Sequence, residues 1–386
     1  MKKIMFITDL YPHKYNAAAG IFVHHQLSEL SKHYQIFVMA TCDKYSWAIE
    51  HSKENGITIT RVYYPYWQRY FLSSLISYPL FTLPVTIFSY LRWKPDIIHV
   101  HDFRHVPELL WLKLWLKFNA KPQYLTIHNI RTHPNRLGNN PLKWFYKLTL
   151  LPALRRWTHV FTVNNRLADW IYPHGYSQDS VSVIGNGIHP YNNNDKICIS
   201  SWLSDAEPNC FKIIGVGNLV PEKGFDILIK AVAALCANSY NIQLLIVGDG
   251  SERKSLCQLI TTLEMQDNIH FAGILPNDTV RSLYPHFDAF VLPSYSETFG
   301  IVYIEAMYAG LPVVGIRGEG ISGLFDDGVE ALFAKPKDVD DLSDKMLILI
   351  SNPQLCASMG AASAKKVRKR FMMKQLIDRV REVYER

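Results

Sequence analysis

The sequence predicts an α/β protein built as two doubly wound domains, each a parallel sheet covered by helices on both faces. Three observations predict it. Short apolar runs rich in β-branched and aromatic residues recur along the chain, each followed by a polar turn and a helical pattern. There are twelve such runs, too many for one open sheet of usual size. The chain has 386 residues, enough for two separate cores.

In the first half the runs are Ile4–Ile7, Gln35–Ala40, Ile57–Val62, Ile97–Val100, Tyr124–Ile127, Val160–Val163 and Val181–Ile184. In the second they are Phe211–Val216, Gln243–Val247, Ile269–Ala272, Ala289–Leu292 and Pro312–Gly315. Strands alternating with helices of 10–15 residues imply parallel sheets buried on both faces. The break falls after Ile184-Gly185-Asn186-Gly187-Ile188-His189-Pro190, where glycine and proline punctuate the chain and the polar Asn192–Asp195 follows. The expected domains are therefore 1–190 and 191–370. A final amphipathic helix, 371–386, carries Leu376, Ile377, Val380, Val383 and Tyr384 on one face.

Composition, 48% hydrophobic and 19% charged, excludes a disordered or collagen-like chain. Charge divides unevenly. Residues 1–190 carry 21 Lys and Arg against 10 Asp and Glu, whereas residues 191–386 carry 20 against 24. Such a split predicts two domains facing different partners. The first apolar run, Ile4–Ile7, is too short for a signal peptide and reads as a buried strand. The six cysteines show no metal or disulfide spacing, which fits a reducing cytosol. Tyr70–Leu91 contains no charged residue, but Pro79 and Pro84 interrupt it. It reads as a buried helix and loop, as a surface segment touching a membrane or a lipid-linked substrate with Trp67, Tyr70, Phe71 and Trp93 as interfacial anchors, or as a membrane span, against which the two prolines weigh.

In doubly wound sheets ligands bind at the carboxyl ends of strands, against helix N-termini. The loop after Ala289–Leu292 runs Pro293-Ser-Tyr-Ser-Glu297-Thr-Phe-Gly300-Ile301, with a helix expected from near Thr298 and Glu305 within it. Free amides at Phe299 and Gly300 suit a diphosphate, and the carboxylates of Glu297 and Glu305 suit hydroxyl-rich ligands. Two glutamates eight residues apart are weak evidence alone, since surface glutamates gather at helix starts. The loop after Phe211–Val216 runs Gly217-Asn218-Leu-Val-Pro-Glu-Lys223-Gly224. Lys223 can neutralise phosphate charge, and the glycines permit close backbone approach. Gly215-x-Gly217-x-x-Val220 lacks the third glycine of a dinucleotide fingerprint, and no G-x-x-x-x-G-K-[ST] sequence occurs. In the first half, Gly20 follows the first strand, where its backbone can approach phosphate or simply turn the chain. His99 and His101-Asp102 sit at one strand end and His128-Asn129 at another. His99 alternates inward and reads as structural, while His128 at a strand tip is better placed for chemistry.

Together these pieces resemble the retaining glycosyltransferases of family 4, which have the GT-B fold of two facing Rossmann-like domains around a cleft. The resemblance rests on Gly217-Asn-Leu-Val-Pro-Glu-Lys223-Gly224, Val247-Gly248-Asp249-Gly250, Phe271-Ala-Gly273 and Pro293-Ser-Tyr-Ser-Glu297 through Glu305. Tyr11-Pro12 and Gly20-Ile21-Phe22-Val23 look like members that build bacterial surface polysaccharides. The resemblance implies an acceptor domain at 1–190, with the final helix packing back on it, and a donor domain at 191–370. It implies a nucleotide diphosphate-sugar donor and a glycan or polyprenyl-diphosphate-linked acceptor, with no cofactor and no metal. Lys223 would hold the diphosphate, with Gly217 and Asn218 beside it. Glu297 would contact the sugar hydroxyls and Glu305 the ribose, while Phe299, Gly300 and Ile301 would present amides. Gly20 would approach the diphosphate from the first domain. His128 would stand beside the transferred sugar, making His128, Glu297 and Lys223 the catalytic candidates. On the acceptor side stand His101, Asp102 and Asn129.

One departure stands out: the family usually has Arg where this chain has Asn218. Arg104, Arg131 and Arg136 are the candidate substitutes. The basic first half and the uncharged run together suggest an acidic lipid-linked substrate at the inner face of a membrane, and no nucleic-acid motif is present. A nucleotide-sugar epimerase of the same fold and a weakly active binding subunit of a polysaccharide assembly complex are the alternatives. A nicotinamide oxidoreductase fits worse, because the glycine fingerprint is incomplete.

Overall fold

A computed structural model of the chain describes residues 1–16, 19–44, 47–65, 78–101, 106–116, 121–128, 154, 156–191 and 210–386. The chain divides into two compact units, Met1–Gly185 with Leu376–Arg386, and Asn186–Gln375.

In the first unit the described elements are β1 (Lys3–Thr8), α1 (Ile21–Leu30), β2 (Gln35–Lys44), β3 (Ala48–Glu54), β4 (Ile57–Pro65), α2 (Leu83–Trp93), β5 (Ile97–His101), α3 (Val106–Leu116), β6 (Gln123–Ile127), β7 (His159–Thr162), α4 (Asn165–Ile171) and β8 (Val181–Val183). They form an eight-stranded sheet in the order β3-β4-β2-β1-β5-β6-β7-β8. Strands β1, β5 and β6 are almost wholly buried, as continuous apolar strands covered on both faces must be. The order reverses beside β1, which pairs with β2 on one side and β5 on the other. The carboxyl ends of β1 and β5 therefore flank the crevice where such sheets bind ligands.

The sheet is not parallel throughout, as the sequence led us to expect. β3 pairs antiparallel with β4 in a hairpin closed by Asn55 and Gly56, both in the left-handed region at φ 48° and 80°. That turn matches the right-handed twist of its strands. Five of the seven residues of β3 are polar, so its run was not apolar enough to stand out.

The second unit holds β9 (Phe211–Val216), α5 (Phe225–Ala237), β10 (Ile242–Val247), α6 (Arg253–Thr262), β11 (Ile269–Gly273), α7 (Asn277–Leu283), β12 (Ala289–Val291), α8 (Ile301–Tyr308), β13 (Val313–Ile316), β14 (Leu332–Ala334), α9 (Val339–Ile350) and α10 (Pro353–Arg370). Its six strands are all parallel, in the order β11-β10-β9-β12-β13-β14. The three-residue β14 has too short an apolar run to be legible. Here the switch point lies between β9 and β12, so the loops at Gly217–Gly224 and Pro293–Gly300 meet there.

The last helix is α11 (Met373–Glu385). Gly187 passes so close to it that a Cβ would lie 2.8 Å from Met373 Cα, which explains the glycine after Asn186. Leu376, Ile377, Val380, Val383 and Tyr384 are all buried. Tyr384 packs edge-on against Tyr34, Tyr124 and His99. Of the uncharged run, 70–77 lie outside the described residues, as do Trp67, Tyr70 and Phe71. The rest is a π-helical turn at Tyr78–Thr82 followed by α2. No helix among the described residues is long and apolar enough to cross a membrane.

Candidate functional site

Glycines bring the loops of the second unit together. Gly217 N–H donates to Val247 O at 3.0 Å, carrying the β9 ladder into its loop. A Cβ on Gly248 would lie 2.0 Å from Gly217 O, and one on Gly250 2.4 Å from Leu219 O. Neither contact tolerates a side chain. Gly224, at φ 70°, caps the 3₁₀ turn Pro221–Lys223 and would place a Cβ 2.5 Å from Pro293 O. The β9 and β12 loops thus touch backbone to backbone. Tyr295 N–H and Ser294 Oγ both donate to Glu222 O, at 3.0 and 3.2 Å.

This clamp sets Lys223 against Glu297, whose carboxylate accepts from the ammonium in a mostly buried ion pair. Glu297 is itself held from a third loop. Its N–H donates to Glu319 Oε2 at 2.9 Å, and its carbonyl accepts from Gly320 N–H at 2.9 Å. Sequence reasoning missed Glu319 and Gly320, because only the fold brings a residue 22 positions away to Glu297.

The helix begins later than expected. α8 starts at Ile301, not near Thr298, because Gly300 is its N-cap in the left-handed region at φ 74°. A Cβ on Gly300 would meet the Tyr303 ring at 2.5 Å, and Tyr303 is fixed by its hydroxyl donating to Leu292 O at 2.7 Å. The amides of Phe299, Gly300 and Ile301 donate to no group among the described residues. They form the positive end of the helix, the place an anion binds.

Glu305 lies one turn further and is buried. Its Oε1 accepts from Arg281 Nε and Nη2, at 3.0 and 2.9 Å. The guanidinium lies over the Tyr191 ring, 5.3 Å from its centroid. Burial pushes the Glu305 carboxyl above its usual range, although Arg281 pulls it down. Glu305 Oε2 accepts no hydrogen bond among the described residues and remains available to a ligand hydroxyl. Arg281 was not foreseen; it reaches Glu305 from α7, 24 residues away along the chain. Asn218 is exposed, and its side chain makes no hydrogen bond among the described residues.

In the first unit Gly20 is the N-cap of α1 at φ 59°, and a Cβ there would sit 2.3 Å from Leu10 C and O. Only glycine fits that turn. His128, at the tip of β6, is buried, with the Phe22 ring edge-on at 4.8 Å. Its Nε2 lies 3.2 Å from His101 Nδ1. Burial drives the His128 pKa down to about 3, and burial likewise holds His101 and His99 well below the usual range. All three rings are therefore neutral near pH 7. His101 is wholly buried beneath His128, so it contacts other rings and not solvent. His99 is structural as expected: Nε2 meets Thr126 Oγ1 at 2.7 Å, and Nδ1 meets the Tyr384 hydroxyl. Asp102 and Asn129 lie outside the described residues, as do Arg104, Arg131 and Arg136. Among the described residues no three His, Cys, Asp or Glu side chains gather as a metal site.

Two Rossmann-like parallel sheets with their polar loops at the strands' carboxyl ends define the GT-B class. The fold matches that of Anabaena HepE in complex with UDP and glucose, at a TM-score of 0.70 and 19% identity over 100% of both chains. The chain belongs to glycosyltransferase family 4. The model described as Glycosyltransferase Family 4 matches residues 19–191, and that described as Glycosyl transferases group 1 matches residues 204–366. Similar relatives include an uncharacterised glycosyltransferase of Methanocaldococcus jannaschii, 29% identical over 65% of each chain. Another is the 2-deoxystreptamine N-acetyl-D-glucosaminyltransferase of Niallia circulans, 24% identical over 72% of each. The chain thus spans 65% of the length of the first of these relatives.

Proposed function

We propose that the protein is a retaining glycosyltransferase that moves a sugar from a nucleotide diphosphate-sugar to a glycan or lipid-linked glycan in cell-surface polysaccharide synthesis. The observation that carries this reading is the Lys223–Glu297 pair beside the open amides of α8, at the switch point of the second unit. The donor diphosphate sits on the amides of Phe299, Gly300 and Ile301. Lys223 leaves Glu297 to meet its charge, and the freed Glu297 carboxylate accepts hydrogen bonds from the sugar hydroxyls. Glu305, aimed by Arg281, takes the ribose hydroxyls through Oε2. Charge on the departing nucleoside diphosphate is met by one lysine and helix amides, with no metal assigned to the step. His128, as a catalytic residue, is neutral and acts through hydrogen bonding, not charge.

UDP is the first nucleotide to test, because HepE was solved with UDP and with UDP-glucose. The decisive experiment incubates the protein with UDP-, GDP- and ADP-sugars and a panel of soluble and lipid-linked glycans, and reads the product's anomeric configuration by NMR. An α-product from an α-linked donor supports the reading. An inverted product refutes retention. Conversion of the donor without any acceptor replaces it by epimerisation. Asn218 favours one second reading, a weakly active subunit, because a neutral side chain stands where the family usually has Arg. Donor binding without turnover, unchanged in Asn218→Arg, is the result that selects it.

A further inference from the structure

Helix α2 is built the wrong way round for a helix covering a sheet. Its sequence, Leu83–Trp93, is almost wholly apolar, yet Thr86 is its only buried residue, with the hydroxyl donating to Thr82 O at 3.0 Å. Pro84, Phe88 and Leu91 recur at the spacing of one helical face and all lie exposed, Phe88 at 63% and Leu91 at 62%. Leu80, one turn earlier, is 63% exposed. A contiguous apolar surface of this kind marks an interaction site.

Beside it, α2 and the β3–β4 hairpin enclose a groove of about 670 Å³. Phe37, Ile49, Val85, Phe88 and Trp93 line it, with Arg92 and His51 at its polar edge. The charges around it are sorted by face. On β3, Ile49, His51 and Lys53 alternate onto the exposed side. Glu50 and Glu54 point to the other, where Lys14 and Arg61 engage them. Arg92 and Lys94 end α2 on the exposed surface. None of Lys53, Arg92 and Lys94 has an ion-pair partner among the described residues. Three cations without ion-pair partners among the described residues thus flank the apolar side chains, and Glu50 and Glu54 are turned away.

We infer that α2 and the β3–β4 groove form a docking surface for an anionic lipid bilayer, with Leu80, Phe88 and Leu91 entering the acyl region and Lys53, Arg92 and Lys94 meeting the headgroups. The positive charge favours an anionic leaflet, and exposed aromatic and aliphatic side chains supply the apolar part. This surface serves the transfer to a lipid-linked acceptor proposed above and rests on that reading, but vesicle binding is measured without any transfer.

The test is co-sedimentation of the full chain with phosphatidylcholine vesicles, with and without phosphatidylglycerol. Two variants accompany it, Phe88→Ser with Leu91→Ser, and Lys53→Glu with Arg92→Glu. All four positions are exposed, and retained melting temperature and nucleotide binding confirm the fold. The wild type binds the phosphatidylglycerol vesicles, salt weakens the binding, and each double variant lowers it by about tenfold or more. Undiminished binding by both variants overturns the inference, as does no binding by the wild type. A wild-type dimer that Phe88→Ser with Leu91→Ser dissociates, with no vesicle binding, also overturns it and makes the face a self-interface. Vesicle binding in a protein that transfers no sugar leaves the surface standing and removes the proposed function.

Discussion

Replacing Arg281 by methionine isolates the support of Glu305. The carboxylate is buried and its Oε1 takes both hydrogen bonds from one guanidinium. Side-chain exposure is 17% for Arg281 and 10% for Glu305, so solvent screens the pair little. Removing one partner of such a pair costs about 3 kcal/mol. For a unit of this size that lowers the melting temperature by about 6–12 °C. The loss has a definite pH sign. Burial already raises the Glu305 carboxyl pKa, and without Arg281 it rises further. A carboxyl raised in the folded state gives stability that is complete below its unfolded value of about 4.3 and is lost as pH rises through the folded value. Arg281→Met is therefore penalised least near pH 5 and most near pH 8. Adding Glu305→Gln restores most of the loss at pH 8. Scanning calorimetry at both pH values checks this. A loss under about 1 kcal/mol, or one independent of pH, refutes the view that the pair is buried and coupled.

Further expectations concern the site and the histidines. Lys223→Ala lowers transfer by about 10²–10³-fold in steady-state kinetics, measured well below its melting temperature because it also leaves the buried Glu297 carboxylate without its partner; full activity removes Lys223 from the mechanism. Asn218→Arg raises turnover, because it adds a second cation at the leaving diphosphate; an unchanged or lower rate shows the charge is met elsewhere. Gly248→Ala abolishes folding or sharply lowers expression, since its Cβ would lie 2.0 Å from Gly217 O, and a wild-type melting curve contradicts that contact. His128 and His159, with pKa values driven by burial to about 3 and about 4, stabilise the fold fully above about pH 6.5 and progressively less as pH falls toward those values. His128→Phe flattens that acid decline in urea titrations between pH 7 and 5; an unaltered slope excludes His128 as its source.

What could be read in the sequence followed from local rules. β1, β5 and β9 announce themselves because a strand buried on both faces must be a continuous apolar run. Lys223, Gly224, Glu297 and Gly300 stand at strand-to-helix turns, where the chemistry of a doubly wound sheet belongs. The structure sets them in adjoining loops. What stayed hidden depended on tertiary contact or on backbone geometry. β3 is an exposed edge with polar alternation, although Asn55-Gly56 was a hairpin signal in plain view. The start of α8 slipped from Thr298 to Ile301 because a left-handed Gly300 delays it. Arg281 and Glu319 face Glu305 and Glu297 from other elements, and no spacing along the chain announces such partners. His101 was placed on the acceptor side for its position at a strand end, but the packing of Phe6 and His99 around it leaves it wholly buried.

The proposed donor site holds a nucleoside diphosphate at Lys223 and the α8 amides. Its most direct measurement is the melting temperature of the wild type and of Lys223→Ala with saturating UDP, GDP or ADP. One nucleotide at about 100 times its dissociation constant stabilises the wild type by about 2.7 kcal/mol, and Lys223→Ala loses most of that gain. No shift with any of the three, or an equal shift in Lys223→Ala, contradicts the account.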